Sequence, residues 1–279
     1  MSPAPPSTAL LEARQLTRIF GYGKNAVHAV DGVSFSLQRG EIVAVVGESG
    51  SGKSTLARII LRLLDPSSGQ LLLDADDVTA RRGTRKLKPY WQRVQGVFQD
   101  PFASFNQFYT VQRMLQNAFG LLDRSVSRQQ RLERMAAALQ SVGLDPIDVL
   151  HKHPHQLSGG QVQRATIARA LIAEPDVLVA DESTSMLDAS LRVTILNLLA
   201  DLRKQHGLAV LFITHDIGQA YYLGDRILVM YRGELVEQGP VDQVLQSPQH
   251  PYTQRLLADV PRLRGQGEGR GGPGIEVPG

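Results

Sequence analysis

Three unbroken apolar runs constrain this chain more than any other feature: EIVAVVG (41–47), DVLVAD (176–181) and LAVLFITHD (208–216). None alternates apolar with polar residues, so each must be buried on both faces. That is the pattern of strands in a parallel sheet covered by helices. Helical patterns follow the first two runs, STLARIILRLLD and SLRVTILNLLADLRKQ. Strand–helix alternation of this kind predicts a doubly wound α/β core. With 279 residues, 42% of them hydrophobic, the chain can build a sizeable core.

Two regions break the alternation. Residues 10–40 and 69–78 read as short strands with polar turns, a small antiparallel sheet beside the core. Residues 102–157 carry no β-run. There SRQQRLERMAAALQSVG sets Leu132, Met135, Ala136, Leu139 and Val142 on one helical face, a packing stripe. This middle region reads as a helical insertion. Near the C-terminus, DRILVMYRGELVEQG reads as a hairpin turning at Arg232-Gly233. The lead MSPAPPST lacks the basic-then-apolar order of a signal peptide. Residues 1–8 and the Gly/Pro-rich 261–279 are expected to be disordered. No repeat is visible.

Composition excludes several classes. Without cysteine there are no disulfides, thiolate metal sites or iron–sulfur clusters. No apolar run approaches the ~18 residues that span a bilayer. A net charge of +3 is too weak to argue for nucleic acid. The basic run RRGTRKLK (81–88) has no aromatic platform and reads as a solvated loop. His151, His153 and His155 alternate in HKHPH, a possible metal tract that reads better as a linker. Trp91 reads as a packing residue.

The chemistry begins where the first strand ends. GESGSGKST fits G-x-x-x-x-G-K-[ST], with Gly47, Gly52, Lys53 and Ser54 in register and Glu48, Ser49, Gly50, Ser51 and Thr55 completing the loop. It follows a strand and opens a helix, as a phosphate loop must. The glycines let successive N–H groups face inward around an anion. Lys53 adds a charge for the β- and γ-phosphates, and Ser54 offers a hydroxyl to Mg²⁺. The second strand ends in Asp181 and Glu182. Asp181 is placed to help hold Mg²⁺, and Glu182 to polarise an attacking water. The third ends in ITHD, bringing His215 to the same sheet edge, where it can contact a γ-phosphate or order the water. A second helix mouth, SGGQ in HQLSGGQVQRATIARAL, offers Ser158, Gly159, Gly160 and Gln161 to another anion.

The phosphate loop, VADE, ITHD and LSGGQ together resemble the ATP-binding subunits of ABC transporters over residues 10–260. LSGGQ is specific to that superfamily, whereas many NTPases share the phosphate loop. The resemblance implies a P-loop NTPase (RecA-like) parallel-sheet core, a small antiparallel β subdomain and a helical subdomain at about 102–162, all within an ATPase domain at 9–260. It implies ATP and Mg²⁺ as cofactors and ATP hydrolysis coupled to transport. By the same likeness Gln99 in VFQDP matches the Q-loop glutamine, which links nucleotide and Mg²⁺ to the membrane subunits, so Ser54, Gln99 and Asp181 form the metal set. Asp188 in SMLDAS matches the D-loop aspartate. Phe20 takes the place of the aromatic that stacks on adenine, with Tyr22 as the fallback. PFASFNQFY (101–109) occupies the surface that receives a permease coupling helix, with packing of the helical lobe as the alternative.

In that family two ATP-binding subunits pack head to tail, and each LSGGQ caps the γ-phosphate held by its partner. Two departures stand out: Ser183 where proline usually follows the catalytic glutamate, and Met186 where alanine is commoner. HPHQLSGGQ and SPQHPYTQRLL (247–257) resemble the oligopeptide/dipeptide/nickel importer branch. That implies a second, usually non-identical ATP-binding subunit with a homodimer as the alternative, two permease subunits, an extracytoplasmic substrate-binding protein and no nucleic acid. The expected location is the cytoplasmic face of the cell membrane. The cargo implied is an oligopeptide or dipeptide, with oligosaccharide or nickel as alternatives. A soluble ABC ATPase of DNA repair or translation is the competing reading. It is disfavoured by the single phosphate loop and by the absence of cysteine and long heptads.

Overall fold

The computed structural model describes residues 9–99, 105–122, 126–185 and 187–258, apart from the side chain of Lys24. The chain opens with two long antiparallel strands, β1 (Leu11–Phe20) and β2 (Val27–Leu37). Strand β3 (Ile42–Val46) leads into helix α1 (Lys53–Ile60). Two further strands, β4 (Ser68–Leu73) and β5 (Asp76–Asp77), precede α2 (Thr84–Arg93) and β6 (Val94–Val97). A helical lobe follows, with α3 (Val111–Ala118), α4 (Arg128–Ser141) and the short α5 (Pro146–Val149). Helix α6 (Gly159–Leu171) returns to β7 (Val177–Asp181), and α7 (Ala189–His206) to β8 (Ala209–Ile213). Then come α8 (Ile217–Leu223), β9 (Arg226–Tyr231), β10 (Glu234–Pro240), α9 (Val241–Gln246) and α10 (Pro251–Ala258).

Two sheets result, ordered β2-β1-β4-β5 and β10-β9-β3-β8-β7-β6. The three apolar runs are β3, β7 and β8, and every residue of each strand is buried. β9 and β6 extend that sheet in parallel, and only β10 is antiparallel. The α/β core, the antiparallel sheet and the helical insertion thus agree with the sequence reading. The structure adds two points. The strands at 11–37 are long rather than short, and β6 was not expected. VQGV has no apolar run; it becomes a strand because Val94–Val97 pair with Val177–Ala180. The hairpin turns at Arg232 (φ 48°) and Gly233 (φ 90°), the paired left-handed residues of a tight hairpin.

The predicted stripe of α4 packs as expected except at Ala136, which is half-buried while Ala138 is the alanine buried in the cluster. Met135, Leu139 and Val142 are buried in the main apolar cluster, with Leu132 partly covered. Trp91 packs on a second cluster and donates to the Leu61 carbonyl (2.9 Å). The basic run is not the expected loop throughout: from Thr84 it forms the start of α2 and buries Leu87, while Arg81 pairs with Asp76, Arg82 with Asp65 (3.2 Å), and Lys88 donates to the Leu122 carbonyl (3.2 Å). Among the described residues no group of His, Asp and Glu is arranged to hold a metal, and His153 and His155 simply stack, 5.6 Å apart. No helix among the described residues is long and apolar enough to cross a membrane. The expected disordered ends, 1–8 and 261–279, and Met186 lie outside the described residues.

Candidate functional site

Because β3, β8, β7 and β6 are parallel neighbours, their C-terminal ends share one edge. This places the phosphate loop, His215, Asp181–Glu182 and Gln99 side by side, where open α/β sheets bind ligands. The loop itself is tightly boxed. A Cβ on Gly47 (φ 150°) would lie 2.2 Å from the Met230 carbonyl oxygen. One on Gly52 (φ 104°) would lie 2.1 Å from that of Ala29. Any side chain at either position would push the loop off its supports. The Lys53 ammonium, buried, donates to the carbonyls of Gly47 and Glu48 (2.7 Å each) and to Ser51 Oγ (3.3 Å). Burial lowers its pKa, and the carboxylates of Glu182, Asp181 and Glu48 oppose that shift.

Ser54 Oγ donates to Asp181 Oδ1 at 3.3 Å, so hydroxyl and carboxylate converge. Burial raises the Asp181 pKa, and the neighbouring Glu182 adds to the rise against the Ser54 hydrogen bond. Glu182 sits in the left-handed region at φ 47°. A non-glycine residue stays there only when its surroundings over-determine it. Here its N–H donates to the Ile213 carbonyl (2.9 Å), while its own carbonyl accepts from Ser185 N–H (3.1 Å) and Ser185 Oγ (2.9 Å). The side chain faces His215, whose Nδ1 is 3.6 Å from Glu182 Oε1, beyond hydrogen-bond reach. The His215 side chain is 60% exposed, free to meet a ligand.

The second helix mouth is built differently. Ser158 caps α6: its Oγ accepts from Gln161 N–H (3.2 Å), and Gln161 Oε1 accepts from Ser158 N–H (3.0 Å). Ser158 is exposed. Gly160 packs on Leu191, whose Cδ2 would be 2.9 Å from an added Cβ, so the mouths of α6 and α7 abut. Asp188 caps α7 by accepting from Leu191 N–H (2.9 Å), a bond that holds its carboxyl pKa low. Among the described residues no hydrogen bond joins 158–161 or Asp188 to the phosphate loop. Gln99 lies exposed just beyond β6. Phe20 ends β1, 41% exposed, with the Arg18 guanidinium 4.7 Å above its ring. Tyr22 is 95% exposed. Of the aromatic stretch at 101–109, residues 101–104 lie outside the described residues. Phe105 is buried in the helical lobe, whereas Phe108 and Tyr109 are exposed.

Known proteins match this arrangement. The ABC transporter family model matches residues 30–185, and the model for the C-terminal region of oligopeptide/dipeptide transporters matches 236–278. The chain belongs to the ABC transporter family. The oligopeptide transport ATP-binding protein OppF of Bacillus subtilis is 40% identical over 90% of this chain and 82% of its own length. The dipeptide transport ATP-binding protein DppF of Escherichia coli is 43% identical over 85% of this chain and 70% of its own. A solved dimer of an ATP-binding cassette, in a post-hydrolysis state with ADP and Pi, superposes with a TM-score of 0.74 at 29% identity. That match covers 83% of this chain and 98% of the cassette. This ABC protein is therefore a P-loop ATPase whose hydrolysis of ATP is coupled to transport.

Four residues packed around this site had no motif to announce their contacts. Gln163, buried on α6, donates through Nε2 to the Ser183 carbonyl (2.7 Å). Thr184 Oγ1 donates to Gln219 Oε1 on α8 (2.7 Å), and Gln219 Nε2 donates to Asp216 (3.1 Å). The strap after Glu182 is thus pinned from both sides. Tyr252, far along the chain, accepts a hydrogen bond from the N–H of Glu48 (2.9 Å). In the sequence, SPQHPYTQRLL marks a branch of the family and carries no sign that Tyr252 neighbours the phosphate loop.

Proposed function

We propose that this chain is the ATP-binding subunit of a peptide importer, energising uptake of oligopeptides or dipeptides through two separate permease subunits at the cytoplasmic face of the cell membrane. The match of its C-terminal region to the oligopeptide/dipeptide transporter model supports the cargo class, as do relatives named for oligopeptide and dipeptide transport. An extracytoplasmic binding protein delivers the peptide in this reading. The ATPase domain spans 9–260, with its helical part at 102–162 set to meet a permease through Phe108 and Tyr109.

One observation carries the mechanism: Ser54, Asp181, Glu182 and His215 converge beside a phosphate loop whose Lys53 is already buried in place. In this assignment 47–55 cradles the phosphates, and Phe20, with Tyr22 as the alternative, stacks on adenine. The oxygens of Ser54 and Asp181 fit a hard cation, because burial and the neighbouring Glu182 disfavour the ionised Asp181 carboxylate more than Lys53 and Arg58 favour it. Ser54, Asp181 and Gln99 would hold Mg²⁺, which when bound neutralises charge on the β- and γ-phosphates. Glu182 accepts a proton from the attacking water, and His215 orients that water or the γ-phosphate. Ser158–Gln161 and Asp188 complete the site of a second ATP-binding subunit, identical or not, since in this chain Ser158 and Asp188 are exposed and bonded to their own helices.

Uptake of labelled dipeptides and oligopeptides tests the cargo directly. Cells lacking this chain should lose uptake, and the chain should restore it where Lys53→Ala does not. Uptake unchanged by the loss, with a sugar or nickel affected instead, would overturn the peptide assignment.

A further inference from the structure

His250, Pro251 and Tyr252 each have a distinct local task. His250 Nδ1 accepts the Tyr252 N–H (3.1 Å), capping α10, and Pro251 starts the helix with no N–H to satisfy. Glu237 on β10 accepts the N–H groups of Gln249 (2.8 Å) and His250 (3.0 Å), anchoring this turn to the hairpin. The Tyr252 ring is 2% exposed. It packs in the cluster of Ala44, Val241 and Val244, and stacks on Tyr231 with centroids 4.1 Å apart. Packing explains an aromatic residue here. It does not explain the hydroxyl, which must find a polar partner when buried.

That partner is the peptide at the entry of the phosphate loop. Tyr252 Oη accepts from Glu48 N–H at 2.9 Å, across 204 positions of sequence. The carbonyl of the same residue accepts from Lys53 Nζ (2.7 Å) and from Ser51 N–H (3.2 Å). The preceding residue, Gly47, rests on the Met230 carbonyl, one position before the tyrosine on which Tyr252 stacks. We propose that Tyr252 is a positioning residue for the ATP site: its hydroxyl fixes the Glu48 peptide, and with it the Lys53 anchor, tying helix α10 to the nucleotide. The inference rests on residues 47–55 being the nucleotide site. Coupling of this kind is reciprocal, so α10 must respond to ATP if ATP responds to α10.

The test uses the full chain, a fluorescent ATP analogue with Mg²⁺, and hydrogen exchange of residues 251–258. Tyr252→Phe keeps the ring and deletes the hydroxyl. It should weaken analogue binding about five- to ten-fold, the loss of one hydrogen bond with its donor left unpaired. In the parent chain the analogue should slow exchange in α10, and in Tyr252→Phe it should not. Val244→Ala loosens the same cluster without touching the hydroxyl, and should lower stability while leaving affinity unchanged. Equal affinity in the parent and Tyr252→Phe would overturn the inference, as would an equal loss in Val244→Ala. A parent chain that binds no analogue would instead remove the nucleotide-site reading, and this inference with it.

Discussion

The two helix mouths of this protein, at α1 and α6, share glycines and a serine yet are finished to different degrees. The α1 mouth is braced within one chain. Its glycines press on the carbonyls of Ala29 and Met230, its lysine is buried, and Asp181 already touches Ser54. The α6 mouth, where Ser158 is exposed, satisfies itself through the Ser158–Gln161 capping box. An anion site that spends its side chains on its own cap is complete as a helix terminus but incomplete as a ligand site. The difference teaches that one chain builds the whole of one phosphate site and, in our proposal, only the lid of another.

The largest effect should come from Glu182→Gln. Removing the proton acceptor beside a held nucleotide should cut hydrolysis by about two to four orders of magnitude and spare binding. Light scattering with ATP and Mg²⁺ then probes the comparison itself. A doubled mass would mean that the α6 mouth of one copy can close on the ATP of another. An ATP-bound monomer would assign that task to a different subunit. Near-normal hydrolysis would remove Glu182 from the role of base.

Asp181→Asn separates function from stability within the finished site. Hydrolysis should fall strongly, because a carboxylate assigned to the cation is gone. Stability of the nucleotide-free chain should rise. Burial and Glu182 raise the folded pKa of Asp181 above its ordinary value of 3.8, so ionising it in the folded state is unfavourable. The cost is absent below the unfolded pKa, grows between the two values and is fully present above the folded one. The gain in Tm should therefore be seen at neutral pH and vanish as pH falls below about 4. A Tm unchanged at neutral pH would show that the ionised carboxylate is well compensated without a cation.

Ser158→Ala examines the unfinished mouth. It deletes the acceptor for Gln161 N–H and should cost about 1 kcal/mol of stability. Affinity of the single chain for ATP should not move, since among the described residues no hydrogen bond joins Ser158 to the phosphate loop. ATP-driven pairing in the Glu182→Gln background should weaken. A change in single-chain ATP affinity would contradict the division of labour between the two mouths.

How much of this was legible in the sequence follows the range of the interactions. β3, β7 and β8 announce themselves because burial on both faces leaves an apolar run, and a phosphate loop needs only nine consecutive residues. β6 carries a glutamine and a glycine and is made a strand by β7. Glu182 was legible as a carboxylate after Asp181, but its left-handed backbone was not, since Ile213 and Ser185 impose it. Gln163 and Tyr252 act through contacts with residues 20 and 204 positions away, which no local pattern encodes. The motifs therefore supply the groups assigned to chemistry, while the groups that hold them in place come from tertiary packing.

The smallest expected effect concerns the strap that joins the two mouths. Ser183 directly follows Glu182, and its hydroxyl is buried with no partner among the described residues, as is Gln163 Oε1. A buried hydroxyl that forfeits its hydrogen bonds to water costs about 1–3 kcal/mol, partly offset by the packing of its oxygen. Ser183→Ala removes that cost and keeps the backbone carbonyl that accepts from Gln163 Nε2. It should raise stability by up to about 1 kcal/mol, a shift of roughly 2–4 °C in Tm for a chain of this size. Hydrolysis should not change, because the Glu182 backbone is held by Ile213 and Ser185 rather than by the hydroxyl. A lower Tm with slower hydrolysis would instead make Ser183 a partner of Gln163 Oε1, and the strap a hydrogen-bonded link between the α6 mouth and the carboxylate we assign as base.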